Sequence, residues 1–128
     1  MNAGSCLCGA VRYEFSGGLE TVVSCHCSQC RKASGTAFAT NASVSAEAFR
    51  FVAGKELLGE FESSPGQYRC FCTRCGSPII KRYRDHPEVL RVRIGTLDTD
   101  PQVEVKKHIF LREKAPWARV PEGVEQLE

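Results

Sequence analysis

The sequence predicts a mainly β protein, with short antiparallel strands forming a sandwich or a folded-over sheet and little helix. Three observations point there. Short runs alternate apolar and polar side chains or are rich in β-branched residues. Glycine- and proline-containing pairs such as Gly17-Gly18, Gly54-Lys55 and Pro65-Gly66 punctuate them. Stretches that read as helix are scarce. With 42% hydrophobic and 25% charged residues, the 128-residue chain has the composition of a folded globular protein.

The elements follow in order. Residues 11–15, Val-Arg-Tyr-Glu-Phe, alternate in period two and stop at Gly17-Gly18. Residues 20–24 are a short β-branched run, and residues 37–44 are a strand of small and β-branched side chains. Residues 49–52 and 57–62 flank Gly54-Lys55 and are expected to pair as a hairpin with a loose loop. Residues 68–72 and 78–83 are strands on either side of a cysteine group, and residues 89–95 and 103–106 complete the set, with a polar connection at 97–102. One helical turn is expected within 28–34 and another at Ala46-Glu47-Ala48. Residues 121–128 are polar and acidic and are expected to form a flexible tail. Without repeats or long linkers, residues 1–128 are expected to form a single domain.

The net charge of +2 and the interleaving of acids and bases, as in Lys55-Glu56 and Arg112-Glu113-Lys114, argue against nucleic acid and anionic membrane as partners. No apolar run approaches the roughly 18 residues of a spanning helix. The N-terminal residues lack the basic start and apolar stretch of a signal peptide. A cytoplasmic location is therefore expected. In a reducing compartment, clustered thiols favour metal over disulfide.

The eight cysteines fall into three groups, Cys6-Leu7-Cys8, Cys25-His26-Cys27-Ser28-Gln29-Cys30, and Cys70-Phe71-Cys72-Thr73-Arg74-Cys75. Cys72 and Cys75, three apart on a turn and followed by Gly76, form half of a tetrahedral zinc site. Cys6 and Cys8 are expected to complete it from an extended segment whose Leu7 points into the core. Such a four-thiolate site closes a long loop and is structural. Cys25, Cys27 and Cys30 then stand alone, and three protein ligands with one vacancy is the pattern of a catalytic zinc. Three thiolates leave that centre with a net charge of −1, which favours sulfur chemistry over simple water activation.

Cys70 has several readings: a free thiol, the fourth ligand of the second site, a substitute for Cys72, or a redox or substrate contact. His26 is expected to point away from the metal, His86 to be a solvated turn residue, and His108 to be a satisfied structural histidine. Arg31 and Lys32 follow Cys30 and are candidates to offset thiolate charge or hold a substrate carboxylate, against the simpler reading of an exposed charged turn. Trp117 is expected to anchor the core.

The motifs 4–11 (Gly-Ser-Cys-Leu-Cys-Gly-Ala-Val), 25–35 (from Cys25 to Gly35) and 71–78 (Phe-Cys-Thr-Arg-Cys-Gly-Ser-Pro) resemble the glutathione-dependent formaldehyde-activating enzyme family, which includes centromere protein V. The resemblance runs from Gly4 to about Val120. It implies a β-tent of antiparallel sheets with two zinc ions, a structural one on Cys6, Cys8, Cys72 and Cys75 and a catalytic one on Cys25, Cys27 and Cys30. It implies carbon–sulfur lyase activity, with glutathione as thiol and formaldehyde as aldehyde. Cys70 has no counterpart in the family pattern. Family and fold do not by themselves fix a reaction, so a zinc-stabilised binding module without catalysis stands as the alternative. Whether the chain forms a homo-oligomer is left open.

Overall fold

Strand β1 (Asn2–Ser5) pairs antiparallel with β2 (Arg12–Phe15), which pairs in turn with β5 (Phe49–Ala53) to make a three-stranded sheet in the computed structural model, which describes residues 1–128. The alternation legible in β2 works as expected: Tyr13 and Phe15 are buried, while Arg12 is exposed. The second sheet contains β3 (Glu20–Cys25), β4 (Ala39–Ser45), β6 (Leu58–Ser64), β7 (Gln67–Cys72), β8 (Pro78–Tyr83), β9 (Val89–Arg93), β10 (Lys107–Ile109) and β11 (Glu125–Gln126). Its order is β11-β10-β3-β4-β9-β8-β7-β6, antiparallel throughout except that β10 runs parallel to both β3 and β11. The fold is thus mainly β.

The core lies between the two sheets. Val11, Tyr13 and Phe15 from the small sheet side meet Val44, Cys70, Cys72, Ile79, Ile80 and Val92 from the large one. Phe49 stacks on Tyr13 with ring centroids 5.1 Å apart. Because side chains alternate, residues one step along from the core positions face the other side of the large sheet. Asn41, Arg69, Lys81, Arg91 and Arg93 occupy those steps, beside Ala42, Cys70, Ile80 and Val92. That second face carries the candidate site.

Helix α1 (Ser28–Ser34) links β3 to β4 and fills the whole stretch in which a single turn was expected. Gly35, at φ 72°, ends it in the left-handed conformation, with its N–H bonded to the Arg31 carbonyl. A short 3-10 turn occupies Ala46–Ala48, at the second expected helical position.

Several expectations need correction. Residues 49–52 and 57–62 do not form a hairpin: β5 stays with β2, whereas β6 pairs with β7 in the other sheet. Gly54, at φ 77°, and the 3-10 turn at Lys55–Leu57 redirect the chain between sheets. A Cβ at Gly54 would sit 2.2 Å from the Ala10 carbonyl oxygen, so backbone fills the space a hairpin loop would need. The strand expected at 103–106 is absent. The chain is still turning at Gln102, whose φ is 54° and whose N–H is taken by Asp100, and pairing with β3 begins only at Lys107.

Strand β1 was not anticipated, since Asn-Ala-Gly-Ser carries no strand signal; its Gly4 is required because the Tyr13 ring occupies the position of a Cβ. Trp117 is 71% exposed, and Ala115 and Ala118 take the inward positions instead. Within residues 121–128, Glu125–Gln126 form the short edge strand β11, and the Leu127 carbonyl accepts from Leu111 N–H.

Candidate functional site

The first thiol group is assembled by two turns. Gly9 N–H donates to the Cys6 carbonyl at 3.0 Å, and Gly76 N–H to the Cys72 carbonyl at 2.7 Å. Both glycines have positive φ, 78° and 81°, as the spacing required. The segment around Leu7 is therefore a knuckle rather than an extended strand, and Leu7 is thrown outward, 87% exposed, instead of entering the core. Its N–H bonds to Ser77 Oγ at 2.9 Å, which fastens the two knuckles together. The sulfurs of Cys6, Cys8, Cys72 and Cys75 all lie within 4.8 Å of one another. Val11 N–H points at Cys6 Sγ, and Ser77 Oγ lies 3.3 Å from Cys75 Sγ. The hydrogen bond from Ser77 is the first cause that pushes the Cys75 thiol down to about 5, toward the thiolate a metal needs.

The second group uses the end of β3 and the start of α1. Cys25 closes β3, Cys27 caps the helix by accepting from Cys30 N–H at 3.3 Å, and Cys30 lies in the first turn. Their three sulfurs also lie within 4.8 Å of one another. Cys25 and Cys30 are buried, and Cys27 is half-buried. Cys25 donates toward Cys30, which pushes the Cys30 thiol down and raises that of Cys25; Cys27 and the Arg69 guanidinium add to the lowering at Cys30. Either donor set fits zinc: soft sulfur ligands, converging, on turns held by the backbone.

Cys70 is not part of either cluster. Its sulfur is buried and lies 3.3 Å from Glu60 Oε2, which also pairs with Arg82. Burial, and then Glu60, push the Cys70 thiol up to about 12, so it stays a protonated donor. His26 belongs to neither cluster. It is fully buried, its N–H bonds to the Ile109 carbonyl, and its Nε2 pairs with His108 Nδ1 at 2.8 Å under the Phe38 ring. This pair ties β10 to the cysteine loop. His86 sits exposed in its turn.

A cleft opens over Cys25 and Cys30. One lobe, of about 270 Å³, includes Cys27, Arg69, Lys81 and Glu113; the adjoining lobe, of about 250 Å³, includes Asn41, Tyr83 and Arg91. Cys25, Cys30, Gln67, Lys81 and Phe110 belong to both. Arg69 is buried, with its two terminal nitrogens 3.9 and 3.8 Å from Cys30 Sγ and its Nε bonded to Ser63 Oγ. Arg93 is buried too and donates to Asn41 Oδ1. Burial first, then Arg69, push the Lys81 ammonium down. Arg31 instead turns its Nε toward the His26 carbonyl at 3.4 Å, and Lys32 is exposed on α1; neither lines the cleft.

The strand cations escaped the sequence reading because no motif contains them. The available signal was a basic residue at each outward step of a strand whose other steps are apolar: Arg69 beside Cys70, Lys81 beside Ile80, and Arg91 and Arg93 flanking Val92.

The fold and the two thiol clusters define a mainly β protein with paired cysteine centres of metal-binding geometry. The profile of the glutathione-dependent formaldehyde-activating enzymes matches residues 1–113, and the chain belongs to that family. It is 33% identical, over 91% of its length and 79% of the relative's, to a Halomonas elongata protein provisionally named a glutathione-dependent formaldehyde-activating enzyme. It is also similar to a crystal structure of a Rhodobacter sphaeroides protein: 30% identity, TM-score 0.65, covering 80% of this chain and 96% of that one. No helix is long and apolar enough to cross a membrane.

Proposed function

We propose that the chain is a zinc-dependent carbon–sulfur lyase acting on the adduct of a thiol and a small aldehyde, such as glutathione and formaldehyde. The observation that carries the reading is the second cluster: three sulfurs converge at the floor of a cleft, while Cys70 is engaged with Glu60 and supplies no fourth sulfur. Cys25, Cys27 and Cys30 would hold one zinc ion, and Cys6, Cys8, Cys72 and Cys75 a second, structural one. A zinc ion held by three thiolates supplies a soft Lewis-acid position suited to a sulfur ligand. Family membership supports glutathione as the thiol and formaldehyde as the aldehyde.

The chain's own residues have three tasks. Arg69, against Cys30, offsets the negative charge that three thiolates accumulate. The cleft walls hold thiol and aldehyde together, which is most of what this facile addition needs. Phe110, half exposed and lining both lobes, would cover the pair from one side. In the forward direction the substrate sulfur bonds to the aldehyde carbon, the carbonyl π pair passes to oxygen, and the thiol proton ends on that oxygen as a hydroxyl. Lysis is the reverse. Free, clustered thiols accord with a reducing cytoplasmic compartment.

The test is Cys27→Ser and Cys30→Ser, each assayed for zinc content and for thiol-dependent aldehyde turnover. Loss of one zinc together with activity is expected. Loss of one zinc with activity retained contradicts the reading.

A further inference from the structure

Arg69, Lys81 and Arg91 lie directly opposite one another on β7, β8 and β9: Arg69 registers with Lys81, and Lys81 with Arg91. Like charges facing each other across strands destabilise a sheet. Here three stand in one row, on the face that carries the cysteine cleft, and Arg93 lies two residues beyond Arg91 on the same face. No carboxylate comes within ion-pair distance of any of the four. Several other cations do have an acid beside them: Arg50 has Glu14, Arg82 has Glu60, and Lys107 has Glu125. Arg91 lines the cleft with its Nε buried and without a hydrogen-bond partner. The ammonium of Lys81 lies 5.4 Å from the centroid of the Tyr83 ring and is paired with no carboxylate. Glu113, the one acid on the cleft wall, is already accepting from Ser28 N–H.

A sheet that keeps an unpaired cation row on a partly desolvated face has a standing electrostatic cost that a bound anion removes. Cys30 takes up part of the field of Arg69, at the end of the row nearest the thiols. Cys30 and Cys27 offset Lys81 only in part, and no acid pairs with Arg91.

We infer that Lys81 and Arg91, backed by Arg69, form the carboxylate-binding subsite that makes this cleft select an anionic thiol. The inference rests on the thiol-binding reading above for the placement of the substrate sulfur, near Cys25 and Cys30; the carboxylate then lies along β8 and β9, away from α1. The ligand class is a thiol bearing one or more carboxylates several bonds from its sulfur. Neutral thiols of similar size engage only the sulfur end of the cleft.

The test measures binding by calorimetry, on protein purified with its zinc, for glutathione, S-methylglutathione and 2-mercaptoethanol. S-methylglutathione keeps the carboxylates and blocks the thiol. The parent chain is expected to bind it, more weakly than glutathione and with an affinity that falls as salt rises. Lys81→Met and Arg91→Met are each expected to weaken S-methylglutathione by about tenfold or more, as loss of a charge-assisted contact does. Both variants are expected to keep or raise the melting temperature, because each relieves the row. Lys55→Met, an exposed lysine in the turn between the sheets, should change neither quantity.

If S-methylglutathione fails to bind the parent, or binds both row variants as tightly as the parent, the subsite is overturned, even where glutathione binding survives. If the variants lose stability and affinity together, the row is structural and the inference falls. If S-methylglutathione binds as well as glutathione, with the expected loss in the variants, the subsite stands and the thiol-binding reading fails instead.

Discussion

The guanidinium of Arg69 lies 3.8 Å from the sulfur of Cys30, and both groups are buried. One residue comes from the strand that leads into the first thiol cluster, the other from the helix of the second. This contact couples the candidate active centre to the sheet through charge. Replacing Arg69 by methionine should make the thiolate form of the second cluster harder to reach. In chelator competition, the pH at which half of that centre's zinc is lost should move up by about half a unit or more. An unmoved midpoint would show that Arg69 does not act on Cys30.

Cys75 and Cys70 provide a contrast within five residues. Cys75→Ser removes a sulfur from the four-thiol cluster that joins residues 6–9 to residues 72–76, so it should cost several kcal/mol and abolish cooperative unfolding. Cys70→Ser touches only the bond to Glu60 and should cost about 1 kcal/mol, with the zinc content unchanged. Zinc analysis with thermal denaturation checks both. Zinc loss in Cys70→Ser would reopen the question of its ligand role.

Burial lowers the affinity of both His26 and His108 for a proton, and for His26 the facing His108, Lys114 and Arg31 add to this. Their folded values therefore lie below the ordinary value of about 6.5, so the unfolded chain takes up protons first as pH falls. At pH 7.5 both are neutral in either state and contribute no pH dependence. Stability should begin to fall as pH drops below about 6.5, and continue to fall until the folded-state values are passed. His108→Gln removes one of the two groups, so the stability lost between pH 7.5 and 5.5 should be smaller than in the parent. Urea denaturation at the two pH values measures it. An equal loss in both proteins would assign the acid sensitivity to the thiol clusters.

Gly54 and Gly76 separate conformational strain from steric exclusion. Both have positive φ, but a Cβ at Gly76 meets nothing within 4 Å, whereas at Gly54 it meets the Ala10 carbonyl oxygen at 2.2 Å. Gly76→Ala should cost about 1 kcal/mol from backbone conformation alone. Gly54→Ala should cost about 1–3 kcal/mol more, since the chain crossing between the sheets must shift. Chemical denaturation would show the order; equal costs would mean the crossover is soft.

Local features could be read from the sequence, and features set by pairing could not. The two thiol clusters were legible because each knuckle is a few residues long and because subtracting the four-thiol site leaves Cys25, Cys27 and Cys30 together. Strands such as Arg12–Phe15 and Pro78–Tyr83 were legible from alternation and β-branched content. The partner of Phe49–Ala53 was not, because a short turn at Gly54 looks the same whether the chain folds back or crosses to another sheet. Leu7 was misplaced by treating a knuckle as a strand. Arg69, Lys81 and Arg91 are 12 and 10 residues apart and meet only through register, which no local pattern encodes. Arg31 and Lys32, adjacent to Cys30 in sequence, point elsewhere because helix α1 carries them round its axis.

On the proposed reading, Cys25, Cys27 and Cys30 hold a zinc ion that retains a free coordination position. Zinc K-edge X-ray absorption on metal-quantified protein, with and without glutathione, tests it most directly. Two zinc ions per chain in unlike environments are expected: one with four sulfurs, and one with three sulfurs and a lighter atom that glutathione replaces by a fourth sulfur. Uniform four-sulfur coordination in the absence of thiol, or a spectrum that glutathione leaves unchanged, would contradict it.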